Sequence, residues 1–152
     1  MEINFKYSNP YKPNMKIYFA GSIRGGRQDI EYYKELIEHL KKHGTVLTEH
    51  IASSELTSMG EEQLQDEEIY NRDLEWLNQA EIVIAEVTTP SLGVGYELAI
   101  AEQLNKPILC LYRPEKRISA MLAGNKKLRM VAYNSIEEAT KAIDNFIKNV
   151  RD

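Results

Sequence analysis

An α/β fold built on a parallel sheet is predicted by three observations. Short apolar runs alternate with amphipathic stretches along the chain. The amphipathic stretches repeat their apolar residues at helical spacing, and glycine, proline or serine punctuates the joins. Strand–helix alternation of this kind requires right-handed crossovers, which place helices on both faces of one sheet.

The elements follow in order. Residues 15–20 (MKIYFA) are the first strand, broken by the turn residues that begin at Gly21. A helix over 29–43 carries Ile30, Tyr33, Leu36, Ile37 and Leu40 on one face, and Gly44 is expected to end it as a C′ glycine. Residues 45–48 form the second strand and 52–60 an irregular connection. A helix over 61–79 presents Leu64, Ile69, Leu74 and Leu77. The third strand is 81–87, Pro90 marks the loop after it, and a helix spans 92–104. Pro107 opens the fourth strand, Ile108–Tyr112. Residues 113–118 read as a polar loop and 119–122 as a turn of helix. The fifth strand is 128–133, and the last helix, 136–150, turns Ala139, Ile143 and Ile147 inward. Five such strands predict the flavodoxin-like order 2-1-3-4-5, a Rossmann-like three-layer sandwich with its ligand crevice between strands one and three. Residues 1–14, polar and carrying Pro10 and Pro13, read as a flexible tail, and 15–152 as one domain.

Composition narrows the function. The chain has 152 residues, 43% of them hydrophobic and 28% charged, enough for one domain with its own core. A net charge of −4 without any basic block argues against a nucleic-acid partner. No stretch approaches the roughly 20 apolar residues that span a bilayer, and the leader lacks an apolar signal core. The expectation is a cytoplasmic or nuclear protein without a membrane partner. Cys110, the single cysteine, lies in an apolar run and reads as a small buried hydrophobe.

The chemistry concentrates beyond the third strand, in Ser91-Leu92-Gly93-Val94-Gly95-Tyr96-Glu97. Glu97 is expected in the first turn of a helix just past a strand end, where open parallel sheets bind ligands. A glutamate there can also simply complement the helix dipole. In the preceding helix Asp73 borders the buried face, either paired with a neighbour or functional. Two carboxylates facing one crevice suit glycosidic cleavage, one as nucleophile and one as proton donor. The loop Gly21-Ser22-Ile23-Arg24-Gly25-Gly26-Arg27 lets backbone amides approach a ligand, and Arg24 or Arg27 can clamp a phosphate. It matches neither a P-loop nor G-x-G-x-x-G, so an ordinary turn is the competing reading. His50 lies after the second strand, and Ser91 is placed either to cap the helix or to meet a sugar or phosphate. His39, His43 and His50 are read as lacking ligand spacing with acids or cysteine, so neither metal nor cofactor is expected.

Taken together, these residues closely resemble the 2′-deoxynucleoside 5′-phosphate N-hydrolases, within the nucleoside 2-deoxyribosyltransferase superfamily. The likeness runs from Lys16 to about Leu122. It is carried by YFAGSIRGGR (18–27), GTVLTEH (44–50), DLEWL (73–77), SLGVGYEL (91–98), LCL (109–111) and SAM (119–121). The resemblance implies that Glu97 attacks C1′ of the deoxyribose and forms a covalent glycosyl intermediate. Asp73 assists departure of the base, and Tyr18 positions nucleophile and sugar. It further implies that residues 21–27 cover the nucleotide, that Ser91 and Gly93 contact the 5′-phosphate, and that His50 lies near the ligand. Ser119, Ala120 and Met121 would reach into the neighbouring subunit's site of a homodimer. The implied reaction releases a free base and 2-deoxyribose 5-phosphate. Related transferases acting on unphosphorylated nucleosides carry aspartate at the position of Ser91. A carboxylate repels a phosphate that serine can hydrogen-bond, so Ser91 favours a monophosphate substrate. A base-exchange transferase, a ribonucleoside monophosphate N-hydrolase and a non-catalytic nucleotide sensor are the competing readings.

Overall fold

The computed structural model describes residues 14–23, 29–53, 56 and 60–152. Strands Met15–Gly21 (β1), Gly44–Val46 (β2), Ile82–Glu86 (β3), Ile108–Tyr112 (β4) and Arg129–Ala132 (β5) form one sheet in the order β2-β1-β3-β4-β5. Every neighbouring pair is parallel, as the alternation of strands and helices requires. The helices are Ile30–Leu40 (α1), Asp66–Gln79 (α2), Leu92–Gln103 (α3), Ala120–Ala123 (α4) and Ile136–Arg151 (α5), with a 3₁₀ turn at Glu49–Ala52. No described helix is long and apolar enough to cross a membrane.

The sheet separates two cores. Ile17, Phe19, Ile82, Ile84, Leu109 and Leu111 meet α1 and α5 on one face. Tyr18, Ala20, Val83, Ala85, Ile108 and Cys110 meet α2 and α3 on the other. Strand side chains alternate between faces, so strands covered on both sides read as unbroken apolar runs. The helix on the far edge is well capped: Ser135 accepts a hydrogen bond from the Glu138 amide, with Glu137 and Glu138 in the first turn and Lys148 and Arg151 in the last.

Three expectations need correction. Gly44 does not cap α1, which ends at Leu40; it is the first residue of β2 and lies opposite Met15. A Cβ there would stand 1.9 Å from the Met15 carbonyl oxygen, so the glycine serves the close approach of two strands. The second strand then stops short because the Thr48 hydroxyl replaces backbone pairing: it accepts from the Phe19 amide at 2.8 Å and donates to the Phe19 carbonyl at 2.6 Å. Helix α2 starts at Asp66 and not at residue 61, since Gln65 and Glu68 build a capping box there. Leu64 is therefore outside the helix and exposed, and only Leu77 of the expected apolar face is fully covered. Finally, the segment read as a polar loop begins with Arg113, a buried residue. The expected tail, residues 1–14, lies outside the described residues except for Asn14.

Candidate active site

A cleft of about 660 Å³ is lined by Gly21 at the end of β1, by Asp73 and Leu77 of α2, and by Ser91, Gly93 and Glu97 at the start of α3. It lies at the carboxyl side of the sheet, where β1 and β3 are neighbours and the chain's connections diverge to either side.

Tyr18 comes from the middle of β1. Alternation along the strand turns it to the α2–α3 side, where it is almost fully buried. Its hydroxyl lies near enough to the Glu97 carboxyl for each to shift the other's protonation. Burial, with Glu97 and Asp73 close by, pushes the Tyr18 phenol far above its ordinary range, so it remains a donor. Glu97 lies in the second turn of α3, because Ser91 is the N-cap and Leu92 the first helical residue; the first turn carries no acid. Its expected first-turn position is thus corrected, and with it the dipole explanation, since that field fades beyond the first turn. Burial, then the neighbouring Asp73 charge, pushes the Glu97 carboxyl up to about 8, against the opposing effect of the Tyr18 hydroxyl.

Asp73 projects from α2 with its side chain 22% exposed. Burial raises its carboxyl above the usual range, although Arg72 pulls the other way. Arg72 Nε and Nη2 both donate to Asp73 Oδ1 at 3.0 Å. The same guanidinium grips Glu61 through Nη1–Oε1 at 2.8 Å and Nη2–Oε2 at 2.7 Å. It also stacks over Trp76, 4.6 Å from the ring centroid. The hydrogen bond from Arg72 keeps Glu61 below the ordinary carboxylate range despite partial burial. His50 Nε2 stands 3.3 Å from Glu61 Oε1, with its ring tilted on Trp76 at 5.6 Å. His50 therefore joins the site through Glu61 and Arg72.

The side of the cleft at the start of α3 is built differently. Ser91 Oγ accepts from the Val94 amide at 3.2 Å, which makes it the cap of α3, and Gly93 leaves open space beside it. Ile23 and Gly21 also line the cleft. Gly21 has a packing reason to be glycine, because a Cβ there would meet the Tyr33 ring at 2.8 Å. Ser22 is fully buried and its amide donates to the Tyr33 hydroxyl at 3.0 Å. Among the described residues its Oγ is the one buried side-chain polar atom without a hydrogen-bond partner. Arg24, Gly25, Gly26 and Arg27 lie outside the described residues. Ser119, Ala120 and Met121 sit exposed at the start of α4 and do not line this cleft.

Sequence reasoning missed Glu61, Arg72 and the pair Tyr70 and Tyr96 on the cleft wall. Arg72 had a local signal: it precedes Asp73 and stands four residues from Trp76. Glu61 had none, since 11 residues of chain separate it from Arg72. The reading of the histidines is also corrected. His39 lies in the last turn of α1 and His43 in the turn after it, and their ligand atoms and one from Asp144 lie within 4.8 Å of one another.

The sequence profile of the nucleoside 2-deoxyribosyltransferase family matches residues 17–145. The chain is 46% identical over 142 residues to a 5-hydroxymethyl-dUMP N-hydrolase of Esox lucius, an alignment covering 90% of this chain and 98% of that protein. It is 51% identical over 112 residues to a 5-hydroxymethyl-dUMP N-hydrolase of Danio rerio, covering 72% and 78%. Among solved structures it is similar to a CMP N-glycosidase of Clostridium botulinum, with a TM-score of 0.61 over 84% of this chain and 97% of that one. At 17% sequence identity the structural likeness speaks for the fold.

Proposed function

Because this chain belongs to the nucleoside 2-deoxyribosyltransferase family, we propose that it hydrolyses the N-glycosidic bond of 2′-deoxynucleoside 5′-monophosphates, with 5-hydroxymethyl-dUMP as the first substrate to test. The products are the free base and 2-deoxyribose 5-phosphate. The observation that carries this reading is the meeting of Asp73 and Glu97 at one cleft, with Tyr18 buried beside them and a proton held on the carboxyl pair.

In the first step the proton resting on Glu97 passes to Asp73, and the freed Glu97 carboxylate oxygen bonds to C1′ while the C1′–N bond breaks and its electron pair leaves with the base. Asp73 gives that base a proton. Water then attacks C1′, gives its proton back to Asp73 and releases Glu97. The Tyr18 hydroxyl fixes the orientation of the attacking carboxylate, and Arg72, itself held by Glu61, fixes Asp73. A 2′-hydroxyl would crowd Glu97 and withdraw electrons from the developing cation, which favours the deoxy sugar.

The 5′-phosphate belongs at the start of α3. Unpaired helix amides there favour an anion, Gly93 leaves room for it, and the Ser91 hydroxyl can donate to it. Ser91→Asp is the sharp test of that end. Aspartate caps helices as well as serine, so the melting temperature stays within a few degrees. The added charge lowers kcat/KM for monophosphates by about 100-fold, roughly 2.7 kcal/mol, while unphosphorylated nucleosides are not penalised. Equal losses on both substrates in steady-state kinetics would show that position 91 does not read the phosphate.

The active unit in this reading is a homodimer. Ser119, Ala120 and Met121 stand away from their own cleft, and Met121 and Leu92, 82% and 97% exposed, lie toward the carboxyl edge of the sheet. Apolar side chains this open suit a surface covered by a second copy.

The deciding assay is base release from 5-hydroxymethyl-dUMP, dCMP, dGMP and the matching ribonucleotides and nucleosides. Release from 2′-deoxy monophosphates alone, with no new nucleoside when a second base is added, is the expected result. Equal turnover of ribonucleotides, base exchange, or binding without release would each replace this reading with one of its competitors.

A further inference from the structure

On the sheet face opposite the cleft, α1 and α5 pack over one core and bring three metal-type ligands together. His39 lies in the last turn of α1 and His43 in the tight turn that follows it, where the His43 amide donates to the Leu40 carbonyl. Asp144 faces them from α5. His39 Nε2 is 2.7 Å and His43 Nε2 2.8 Å from the same oxygen, Asp144 Oδ1. We propose that His39, His43 and Asp144 form a second site, which binds one zinc ion and ties α5 to α1.

The donor set decides the class of ion. Two imidazole nitrogens and one carboxylate oxygen suit a borderline divalent transition metal with water in the fourth position. Magnesium and calcium prefer oxygen donors and are poorly served. The imidazoles are 17% and 12% exposed and Asp144 50%, so two ligands are held by packing while the third is free to admit the ion. Zinc–ligand bonds of about 2.0–2.2 Å place tetrahedral ligands roughly 3.3 Å apart. The present contacts need to open by about 0.5 Å, a movement within reach of the half-exposed Asp144 side chain.

The test is zinc titration of the full chain after chelator treatment, read by calorimetry and by thermal melting. The wild type is expected to take up one zinc per chain and to melt higher with zinc but not with magnesium. His43→Gln and Asp144→Asn each weaken binding by more than about tenfold, the scale at which even outer-shell losses weaken metal sites. Glutamine and asparagine keep a hydrogen bond between the helices, and His39→Gln serves where either variant fails to fold. Base release by these variants matches the wild type, because the cluster lies across the sheet from the cleft. No saturable zinc uptake by the wild type, or undiminished uptake by both variants, overturns the proposal.

Discussion

Glu97→Gln loses base release by on the order of 10⁴-fold or more and, at pH 8, melts higher than the wild type. The first effect follows from removal of the attacking oxygen's charge. The second follows from the cost of keeping an acid in that place. The folded protein raises the Glu97 carboxyl from 4.5 to about 8. Below pH 4.5 the group is protonated folded and unfolded, and its titration does not affect stability. Between pH 4.5 and 8 the unfolded chain releases a proton that the folded chain retains, so stability falls as pH rises. Above pH 8 the penalty is complete and amounts to a few kcal/mol, since each tenfold change in proton affinity is about 1.4 kcal/mol. Glutamine removes it. The melting-temperature gap between variant and wild type therefore widens from pH 5 to pH 8. The same pair sets the rate profile. One proton shared by Asp73 and Glu97 is the active form, and kcat/KM declines above about pH 8 as that proton is lost. In Asp73→Asn the residual activity lacks this basic limb. A Glu97→Gln protein that turns over normally, or melts lower than wild type across the range, would falsify both roles.

Arg113→Met is expected to destabilise the fold by about 3–5 kcal/mol, the usual result of leaving buried carboxylates without their cation. Thermal unfolding should show a fall of about 10 °C or more. Arg113 Nη1 donates to Glu86 Oε2 at 2.7 Å, and Nη2 donates to Asp29 Oδ1. The side chains of Glu86 and Asp29 are 0% and 6% exposed, so water cannot replace the lost charge. Burial works against the arginine's own charge, but hydrogen bonds with Tyr133 and Asp29 outweigh it. Its guanidinium also stacks on Tyr32 at 3.9 Å. The Tyr133 hydroxyl donates to Glu86, which further joins the ends of β3 and β5. Adding Glu86→Gln to Arg113→Met should recover part of the loss, because one of the stranded charges is then gone. Asp29 also accepts from Thr89 Oγ1 at 2.6 Å, just ahead of Ser91. The variant's KM for nucleotides rises with the loss of that anchor. A melting temperature unchanged by Arg113→Met would show that this network is solvated and dispensable.

The alternation of apolar runs and amphipathic helices determined the layer architecture and the strand order. A parallel strand covered on both faces must be apolar throughout, and that requirement is written locally; the fourth strand was placed at Ile108–Tyr112, its observed bounds. The acids worth watching, Asp73 and Glu97, were legible because each interrupts or borders an apolar face near a strand end. Their relation to Tyr18 came from the family resemblance and not from local pattern, since it depends on which face of β1 meets α2 and α3. Local pattern also misassigned Gly44, whose need for a bare Cα comes from Met15, 29 residues away. It passed over Arg113 as loop, because its partners Asp29 and Glu86 lie 84 and 27 residues distant. The weakened acidity of Glu97, the Arg72–Glu61 clamp and the meeting of His39 and His43 with Asp144 belong to the same class. Desolvation and charge coupling act over a few ångströms of space without regard to chain order. The sequence by itself thus determined which groups exist and which layers carry them; only the tertiary structure decided which groups meet, how dry they are and which protons they keep.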